Sequence, residues 1–352
     1  MREVGGDRRQ RILAAVEARG EARVSDLAAE LEVSVITVRR DVEGLAREGK
    51  LRRGHGVARS VVPVVRKAPA EAKDGAVALV VPERHAYLNE VVHGARTALE
   101  EAGIRVVLHI APRVPGAEGA IVERLPDDVS GLLLAPRWRT IEAEEADYGW
   151  LARAQVPTVL MERRPHGVLH GADAVYTDHW YGMHLAVDHL VALGHRRIVL
   201  AARDDSPTAR ALRAAFAGIV AARPEIEDSA VMLSAPDAGA DPAEIEPVEL
   251  AELVRERQAT AAVLHGDVDA LMLVQQLSDA GIRVPADCSV VAYDDVVAAL
   301  GSTPLTAVAP PKAEVGRIAA ELLLERLARG AGRPRQVAVM PELKVRKSTR
   351  HV

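Results

Sequence analysis

Two pairs of arginines lie close together near the amino terminus, Arg39-Arg40 and Arg52-Arg53. A guanidinium group is always charged and carries five N–H donors in one plane, so it can bind a phosphate or the edge of a guanine base. The first pair falls inside a helical pattern, "VSVITVRRDVEGLAREG", and the second follows just past its end in "KLRRGHG". We therefore predict that one pair reads bases and that the other binds phosphates.

Three helices are predicted to position the first pair. The apolar spacing in residues 8–49 gives two short helices and a longer one, which is the order of a helix-turn-helix. Ser25 and Ser34 are expected to cap the second and third helices, and Gly49 is expected to end the third. The apolar stripe of the third helix is expected to hold Val35, Val38, Val42 and Leu45.

The opposite face of the third helix would then meet base edges in the major groove of DNA. A basic hairpin after it, with Gly54 and Gly56 at its tip, would lie along the phosphates. The alternative is a solvated helix with an incidental run of charge, but cap, stripe, turn and hairpin coincide, which favours DNA binding. The predicted DNA-binding residues are Ser34, Ile36, Thr37, Arg39, Arg40, Lys50, Arg52, Arg53 and His55.

Residues 8–58 resemble the winged helix-turn-helix of DeoR-type bacterial transcription regulators. The resemblance rests on "VSDLAAELEVSVITVRRDVEGLAREGKLRRGHGVA". In that family the third helix binds operator DNA, and the motif carries this role onto Ser34, Thr37, Arg39 and Arg40. The resemblance implies a winged helix-turn-helix domain over residues 1–59.

The charge of the 352-residue chain is unevenly distributed. Residues 1–60 hold 13 Lys and Arg against 10 Asp and Glu, although the whole chain has a net charge of −5. A basic head on an acidic body suits a nucleic-acid binder whose larger part has another task. The single cysteine, Cys288, excludes an internal disulfide and a cysteine-rich zinc site. The sequence has neither a signal-peptide pattern nor an apolar run long enough to cross a membrane, so we expect a cytoplasmic protein without a membrane partner.

Beyond a linker at residues 60–75, short apolar runs alternate with helical patterns. The runs, which begin with "AVALVV" and include "RIVLAA" and "SVVAYDD", are rich in valine and leucine, which is typical of buried strands in parallel sheets. We predict an α/β body over residues 76–352 that senses a ligand and dimerises, built from two lobes. Lobe 1 is expected to comprise about residues 76–178 and 307–320, and lobe 2 about residues 179–306 and 321–352.

The carboxyl ends of the predicted strands carry acidic, basic and aromatic side chains. In open α/β sheets, ligands bind beyond these ends. Carboxylates and guanidinium groups that hydrogen-bond hydroxyls, together with an aromatic ring, suit a polyol or a sugar. Each residue could instead be a helix cap or part of a surface ion pair, Asp178 in particular. The strand-end residues include Tyr87, Arg137, Trp138, Glu162, Arg163, Asp178, Asp204, Asp205, Arg210, His265, Gly266, Asp267, Asp294 and Asp295.

Residues 77–349 resemble the sensor domain of the lac/gal repressor (LacI/GalR) family, which shares the fold of type I periplasmic sugar-binding proteins. The stretches "LGHRRI" and "VPADCSVVAYDD", followed by "PLT", carry the resemblance. The family's effector positions fall on Tyr87, Leu88, Asp267 and Asp294. The resemblance implies that a sugar-like effector binds between the two lobes.

Two departures from the LacI/GalR pattern bear on the effector. Gly266 stands where the family often has asparagine, and a family arginine falls on Leu212, which leaves Arg210 or Arg213 to replace it. The identity of the effector therefore does not follow from the resemblance. The predicted effector-binding residues are Tyr87, Leu88, Trp138, Arg163, Arg210, Asp267 and Asp294.

Motifs for catalysis and for cofactors are missing from the sequence. No GxGxxG follows the first strand of the body, and no Walker loop or GxSxG elbow occurs. His184 and Asp188 are four residues apart and could form a metal pair, but packing and capping account for them better. We therefore expect no metal, no cofactor and no enzyme activity.

Taken together, these patterns predict a homodimeric transcription regulator. We expect a repressor that binds an inverted operator repeat and whose affinity for DNA depends on a small sugar-like effector. Two alternatives stay open: an enzyme that processes sugars or nucleosides and carries a DNA-binding head, and a DNA-binding dimer that needs no ligand.

Overall fold

The computed structural model describes residues 8–9, 11–13, 16, 21–31, 33–47, 51–53, 57–60, 75–83, 86–234, 249–330 and 332–352. The chain divides into two compact units, Met1–Glu71 and Ala72–Val352. The predicted limits of the domains and of the linker stay predictions. No helix of the described ranges is long and apolar enough to cross a bilayer.

The smaller unit combines helices with a three-stranded antiparallel sheet. Residues 8–9, 11–13 and 16 are helical. They are followed by β1 (Glu21–Arg23), α1 (Val24–Glu30), α2 (Val35–Arg47), β2 (Leu51–Arg53) and β3 (Val57–Ser60), and the order of the strands in the sheet is β1-β3-β2. The core of the unit contains Ile12, Val16, Leu27, Ala28, Leu31, Val38, Val42, Leu45 and Leu51. Helices and hairpin therefore share one small apolar core, as the periodicity predicts.

Two details of the helix-turn-helix differ from the prediction. Ser25 does not cap α1, because the N-cap position is Arg23 and the Ser25 hydroxyl donates to Asp26. Val35 is 42% exposed, since it begins α2 at the end that lies away from the core. Ser34, by contrast, is confirmed as the N-cap of α2, where its hydroxyl oxygen accepts from the backbone N–H of Thr37 at 3.2 Å. Gly49, Gly54 and Gly56 lie outside the described residues.

The larger unit alternates strands and helices along most of its length. Its strands are β4 (Ala76–Pro82), β5 (Arg105–Ala111), β6 (Val129–Leu134), β7 (Thr158–Met161), β8 (Asp173–Thr177), β9 (Arg197–Ala202), β10 (Asp228–Leu233), β11 (Ala261–Leu264), β12 (Ser289–Tyr293), β13 (Thr306–Ala309), β14 (Gln336–Val339) and β15 (Glu342–Lys344). Its helices are α3 (Ala86–Glu101), α4 (Ala117–Val122), α5 (Ile141–Arg153), α6 (His179–Ala192), α7 (Pro207–Ala221), α8 (Leu250–Glu256), α9 (Asp267–Asp279) and α10 (Lys312–Arg329).

Two six-stranded sheets define the two lobes. The sheet of lobe 1 has the order β14-β8-β7-β6-β4-β5 and is parallel throughout. The sheet of lobe 2 has the order β10-β9-β11-β12-β13-β15 and is parallel except for the pair β13–β15. The central strands are fully buried because helices cover both faces. The predicted α/β fold class is confirmed.

The chain crosses between the lobes three times. It passes from β8 to α6, from β13 to α10 and from β14 to β15. The structure therefore corrects the predicted lobe boundaries. Strand β13 belongs to lobe 2 rather than to lobe 1, whereas the whole of α10 and β14 belong to lobe 1. The apolar face of α10 does not reveal in the sequence which of two similar sheets it covers.

Helices α3 and α10 lie unusually close together in lobe 1. A Cβ atom added to Gly94 would overlap the carbonyl oxygen of Ala313, and one added to Gly316 would overlap that of Val91. The two glycines therefore let the backbones touch. This contact fixes the start of α3, which presents Tyr87 and Leu88 to the space between the lobes.

Candidate functional site

Helix α2 presents polar and apolar side chains to solvent on one face. Ile36 is 76% exposed, and Arg39 and Arg40 are exposed beside it. Ser34 and Thr37, whose hydroxyl groups are 2.8 Å apart, form the first turn of the helix. An exposed isoleucine between arginines has no packing role here, but it can contact a thymine methyl group. Five of the predicted DNA-binding residues therefore share one accessible surface.

The buried side of α2 is held by a carboxylate. The Asp41 side chain is 8% exposed and accepts from Arg8 Nε at 2.6 Å and from Arg9 Nε at 3.3 Å. These bonds tie α2 to the helical residues at the start of the chain. They fix the orientation of the exposed face with Arg39 and Arg40.

The basic hairpin is present as a strand pair. Strands β2 and β3 pair antiparallel, with Arg52 opposite Arg59 and Arg53 opposite Ala58. Lys50 and His55 lie outside the described residues, as do the side chains of Arg52 and Arg53. Contact of these four residues with phosphate stays a prediction.

A cavity of about 260 Å³ lies between the two lobes, beyond the carboxyl ends of their strands. Of the predicted effector-binding residues, five line it: Tyr87, Leu88, Arg163, Asp267 and Asp294. Residues that the sequence analysis did not select also line it: Arg113, Arg203, Asp205, Ser206, Thr208, His265, Gly266, Val268, Asp269 and Val296. Lobe 1 supplies Tyr87, Leu88, Arg113 and Arg163, and lobe 2 supplies the remainder. The cavity is therefore sensitive to the relative position of the lobes.

Tyr87 is oriented by a buried carboxylate. Its hydroxyl donates to Glu162 Oε1 at 2.7 Å, and Thr177 Oγ1 donates to the same oxygen at 2.8 Å. Glu162 Oε2 accepts from the backbone N–H of Thr177 at 3.2 Å. Burial raises the pKa of Glu162, and burial together with the charge of Glu162 raises that of Tyr87. The phenol is thus neutral and fixed, and the Lys312 ammonium lies 5.5 Å from the centre of its ring.

His179 lies behind this network as a neutral ring. Its Nδ1 is 3.2 Å from the Tyr293 hydroxyl, and its Nε2 is 3.8 Å from Glu162 Oε2. Burial lowers the pKa of His179 to about 4. The approach to Glu162 is therefore not an ion pair at neutral pH, although the distance alone would allow one. His179 packs the two lobes together where the chain passes from β8 to α6.

Asp294 is the most perturbed carboxyl group of the cavity. It follows β12 in a backbone conformation with φ of +98°, which turns its side chain away from the strand. Burial, reinforced by the charge of Asp267, raises the pKa of Asp294 to about 7. Its Oδ1 atom is buried and has no hydrogen-bond partner. A buried acceptor in this condition is costly unless a ligand supplies a donor.

Most other charges of the cavity neutralise one another. Arg203 donates to both oxygens of Asp269, at 2.5 and 2.6 Å, and lies 3.6 Å from Asp205. Asp205 also lies 3.9 Å from Arg113, across the gap between the lobes. Asp267 accepts from the backbone N–H groups of residues 297 and 298, at 2.5 and 2.9 Å. These bonds hold the carboxylates in place in the wall of the cavity, and contact of Asp267 with an effector stays a prediction.

Arg163 also uses its donors in hydrogen bonds within the protein. It donates to the carbonyl oxygens of Ala135, Pro136 and Glu162, and burial lowers its pKa to about 10. The guanidinium closes the ends of β6 and β7 while one side of it faces the cavity. Arg163 therefore contributes positive charge and shape rather than several free donors.

His265 is a residue of the cavity that is not among the predicted effector-binding residues, although it follows a strand. It is 7% exposed, lines the cavity and has no hydrogen-bond partner for Nδ1. Burial lowers its pKa to about 4, so the imidazole is neutral. The neighbouring Gly266 has φ of +79° and carries no side chain where the resembling family often has asparagine. His265 is therefore a polar group of the cavity wall, and Gly266 adds none.

Trp138 and Arg210 do not line the cavity. Trp138 is 2% exposed and its indole N–H donates to Asp147 at 2.9 Å. Arg210 donates instead to backbone carbonyl oxygens of residues 138 and 139. Leu212, on which the family arginine falls, is fully buried, and Arg213, the other possible replacement, pairs with Asp204 at 3.4 Å. Contact of Trp138 or Arg210 with an effector stays a prediction.

Two other expected roles are settled by local contacts. Asp178 caps α6, because its Oδ1 accepts from the backbone N–H of Tyr181 at 2.9 Å. Asp188 binds Arg223, while His184 lies against the ring of Trp180. No group of three or more His, Cys, Asp or Glu side chains that could hold a metal ion occurs among the residues that the structure describes.

Residues 8–64 match the DeoR-like helix-turn-helix domain, and residues 187–349 match the periplasmic binding protein-like domain. The chain joins these two domains in one protein. This pairing confirms the two resemblances that the sequence carries.

Relatives and solved structures cover most of the chain. The arabinose metabolism transcriptional repressor of Geobacillus stearothermophilus is 28% identical over 93% of this chain and 90% of its own length. A structure of the transcriptional regulator CelR in complex with cellobiose has 26% identity and a TM-score of 0.64, and covers 90% of this chain and 91% of that one. The lac repressor dimer bound to operator and the anti-inducer ONPF has 22% identity and a TM-score of 0.65, and covers 83% of this chain and 100% of that one. The last likeness shows the fold alone.

Proposed function

We propose that the protein is a DNA-binding transcriptional repressor whose affinity for its operator is set by a small, neutral, polyhydroxylated effector. One observation carries the effector part of this proposal. The cavity between the lobes holds three buried polar atoms without partners, Asp294 Oδ1, His265 Nδ1 and Arg113 Nε. A molecule with several hydroxyl groups can donate to the first and accept from the last, which removes the cost of leaving them unpaired.

The size and charge of the cavity limit the effector further. A volume of about 260 Å³ lies just below the roughly 300–1,000 Å³ of typical small-molecule sites, which favours a molecule the size of a monosaccharide. The three arginines of the cavity, Arg113, Arg163 and Arg203, balance the three carboxylates Asp205, Asp267 and Asp269, so no strong net charge is left to attract an ion. Sugars and sugar derivatives fit both limits.

The DNA part of the proposal rests on the exposed face of α2. Arg40 would donate to a guanine, and Ile36 or Thr37 would contact a thymine methyl group. In a homodimer, two such helices would bind the halves of an inverted repeat. Such a protein acts where the DNA is, so we place it in the cytoplasm.

The dimer is supported by apolar side chains on two sheet edges. Edge strand β5 of lobe 1 exposes Leu108 and Ile110, and edge strand β10 of lobe 2 exposes Val231 and Leu233. Exposed apolar edge strands are a hazard unless another chain covers them. A second copy that covers both edges would couple the lobes of one protomer to those of the other, so that closure of the cavity alters the spacing of the DNA-binding units.

The same cavity is poorly equipped for glycoside hydrolysis. That reaction commonly uses two carboxyl groups on opposite sides of the bond. Of the carboxylates that line the described part of the cavity, Asp205, Asp267 and Asp269 are engaged by protein donors, which leaves Asp294. We therefore propose binding without turnover.

Two measurements on the full-length chain test this function. Selection from random duplex DNA should yield an inverted repeat that the protein binds in a gel-shift assay. The protein should then be screened by thermal shift with arabinose, ribose, cellobiose, sugar phosphates and nucleosides. At least one neutral sugar should raise the melting temperature, and the same sugar should change the affinity for DNA in the gel-shift assay. Failure to enrich any DNA sequence would refute the repressor, and conversion of the bound sugar to product would favour the enzyme.

A further inference from the structure

The strongest unexplained contact in the larger unit belongs to Arg210, which reaches from lobe 2 into lobe 1. It starts on α7 and its Nη1 donates to the carbonyl oxygens of Trp138 and Arg139, at 3.2 and 2.9 Å. Its Nη2 lies 3.3 Å from Glu144 Oε2, on α5. A rigid guanidinium fork thus engages three oxygens of the opposite lobe.

The partner side of this contact is built to receive a charge. Glu144 is 2% exposed, and its Oε1 accepts from the backbone N–H of His166 at 2.7 Å. The carboxylate is therefore held in place by lobe 1 itself. Removing Arg210 would leave this buried negative charge facing only the His166 side chain, whose Nδ1 lies 3.4 Å from Oε2, and that is unfavourable.

A second hydrogen bond between the lobes lies beside that of Arg210, and its donor belongs to lobe 1. Arg139 of lobe 1 donates from Nε to the carbonyl oxygen of Asp204 in lobe 2 at 2.9 Å. The ion pair between Arg113 and Asp205 also crosses the gap at this place. Contacts from both lobes therefore converge between the ends of β5 and β6 and the end of β9.

The position of these contacts relative to the three crossings gives them a mechanical role. The crossings leave lobe 1 from β8 and β14, at one edge of its sheet, and involve β13 and β15 at one edge of the lobe 2 sheet. The contacts between the lobes lie away from these edges: those of Arg210 and Arg139 follow the central strand β6 and strand β9, and that of Arg113 follows β5, at the far edge of the lobe 1 sheet. The cavity lies between, so the crossings form the hinge and the contacts lie at the mouth.

We propose that Arg210 is a clasp that holds the cavity closed before any effector binds. A contact opposite the hinge breaks first when the lobes separate, and its strength sets the ratio of closed to open protein. The clasp rests on geometry alone, whereas its effect on operator affinity rests on the proposed function. It gives Arg210 a role in effector affinity without contact to the effector.

The test measures lobe separation in the full-length protein without any ligand. Cys288 is buried, and burial raises the pKa of its thiol to about 12, so it does not compete for labels. Spin labels on Ala146→Cys in α5 and Ala217→Cys in α7, both exposed, report the width of the mouth. Labelled chain is diluted with unlabelled chain so that only distances within one protomer are read.

Four variants make the result decisive. Arg210→Gln should add a longer distance that the unaltered protein lacks. Arg210→Lys keeps the charge but loses the planar guanidinium fork, so it should add less of this longer distance. Glu144→Gln should also open the mouth, because it removes the charge that faces Arg210 but keeps the acceptor for His166. Arg213→Gln, on the same helix, should leave the distance unchanged, since Arg213 pairs with Asp204 inside lobe 2.

An unchanged distance in both Arg210→Gln and Glu144→Gln would overturn the clasp. That result would leave the repressor proposal intact, because operator selection and the sugar screen do not depend on it. If Arg210→Gln does not fold, Glu144→Gln and Arg210→Lys still decide the question. If Arg213→Gln lengthens the distance between the spin labels as much as Arg210→Gln does, the clasp is also overturned, since the effect would then come from any change in α7.

Discussion

Asp294 is the residue whose substitution should change effector affinity most directly. Its unpartnered Oδ1 faces the cavity, and asparagine tolerates the positive φ of this position better than alanine does. At pH 8, above the raised pKa of Asp294, Asp294→Asn should weaken effector binding by about 1.5–3 kcal/mol, the range for a hydrogen bond to a charged group, which is roughly a 10- to 150-fold loss. Affinity for operator without effector should stay unchanged. Titration of the sugar found in the screen into a preformed DNA complex measures both.

A capping role alone would give a different result for Asp294. In that case the variant would be less stable but would still release or retain DNA at the sugar concentration that works for the unaltered protein. Such normal behaviour would remove Asp294 from the effector site.

The same carboxyl group should make the free energy of unfolding depend on pH. Its pKa is about 7 in the folded protein and near 3.8 when exposed, so between these values only the folded chain retains the proton. The free energy of unfolding therefore falls as pH rises from about 4 to 7, by up to roughly 4 kcal/mol from this group. Asp294→Asn should gain up to roughly 4 kcal/mol over the unaltered protein at pH 8 and only about 1 kcal/mol at pH 4.5. Urea unfolding at both pH values tests this, with the exposed Asp204→Asn as the control.

The two arginine clusters should contribute to DNA binding in different ways. Arg40→Ala removes a base contact, so it should cost about 1–3 kcal/mol on the selected operator and relax the preference at one base pair. Arg53→Ala removes a phosphate contact, so it should weaken binding to every sequence and reduce the slope against salt concentration. Binding curves on specific and scrambled DNA over a salt series separate the two effects. Equal loss of specificity in both variants would contradict the assignment.

Individual residues were predictable where local rules decide their position. Ser34 and Asp178 cap helices because their side chains reach only their own first turn, and Asp294 faces the cavity because it ends a parallel strand. The position of Arg210 after a strand and the family resemblance predict that it contacts the effector, but its donors bind backbone oxygens of the opposite lobe. No local pattern encodes how the two lobes face each other. His265 carried a usable signal, a histidine at a strand end beside a glycine in place of the family asparagine.

At the scale of elements, strands with fully buried patterns were predicted well. The nine apolar runs predicted as strands between residues 76 and 295 correspond to β4 to β12. Seven of these strands are mostly buried and therefore form continuous apolar segments, whereas the edge strands β5 and β10 are apolar although partly exposed. The buried strand β13 is not among the nine runs. Strands β14 and β15 are short and alternately exposed, so no such segment marks them. The assignment of α10 and β14 to lobe 1 depends on contacts between segments far apart in the chain, such as the pairing of β14 with β8, and the sequence does not reveal these contacts.

The contact between α3 and α10 gives a prediction about these elements. Gly94→Ala places a methyl group against the carbonyl oxygen of Ala313 and should force the helices apart, at a cost of about 1–3 kcal/mol or more. Gly149→Ala makes the same change in α5, where the nearest atom, Arg153 Nη1, is 3.6 Å away. That variant should gain up to about 1 kcal/mol of helix propensity.

Denaturant unfolding of the two glycine variants reports the opposite signs directly. Because α3 carries Tyr87 and Leu88, Gly94→Ala should also reduce the melting-temperature rise that a bound sugar causes. Equal stability of the two variants would mean that α3 and α10 do not touch as closely as described.

At the scale of the whole molecule, the apolar sheet edges should hold two copies together. Val231 on β10 and Ile110 on β5 are exposed by 42% and 61% on edge strands, where lysine is compatible with a monomer but not with a dry interface. Val231→Lys and Ile110→Lys should each shift the full-length protein from dimer toward monomer in sedimentation velocity. Val345→Lys is the matched control, because Val345 is 61% exposed just after β15, at the other edge of the same lobe 2 sheet.

The dimer is expected to form through the larger unit and not through the DNA-binding unit, because a unit of some 60 residues has little surface beyond its own core. A chain that begins at Asp74 should therefore sediment as a dimer, and Val231→Lys should dissociate it as well. The monomeric variant should bind a single operator half more weakly than the dimer binds the full repeat. In the dimer, binding of one helix α2 brings the second α2 close to its own half-site, and the monomer lacks this advantage. A monomer from the shortened chain, with the full-length protein still dimeric, would place the dimer contact in the first 73 residues and contradict the coupling of lobe closure to DNA binding.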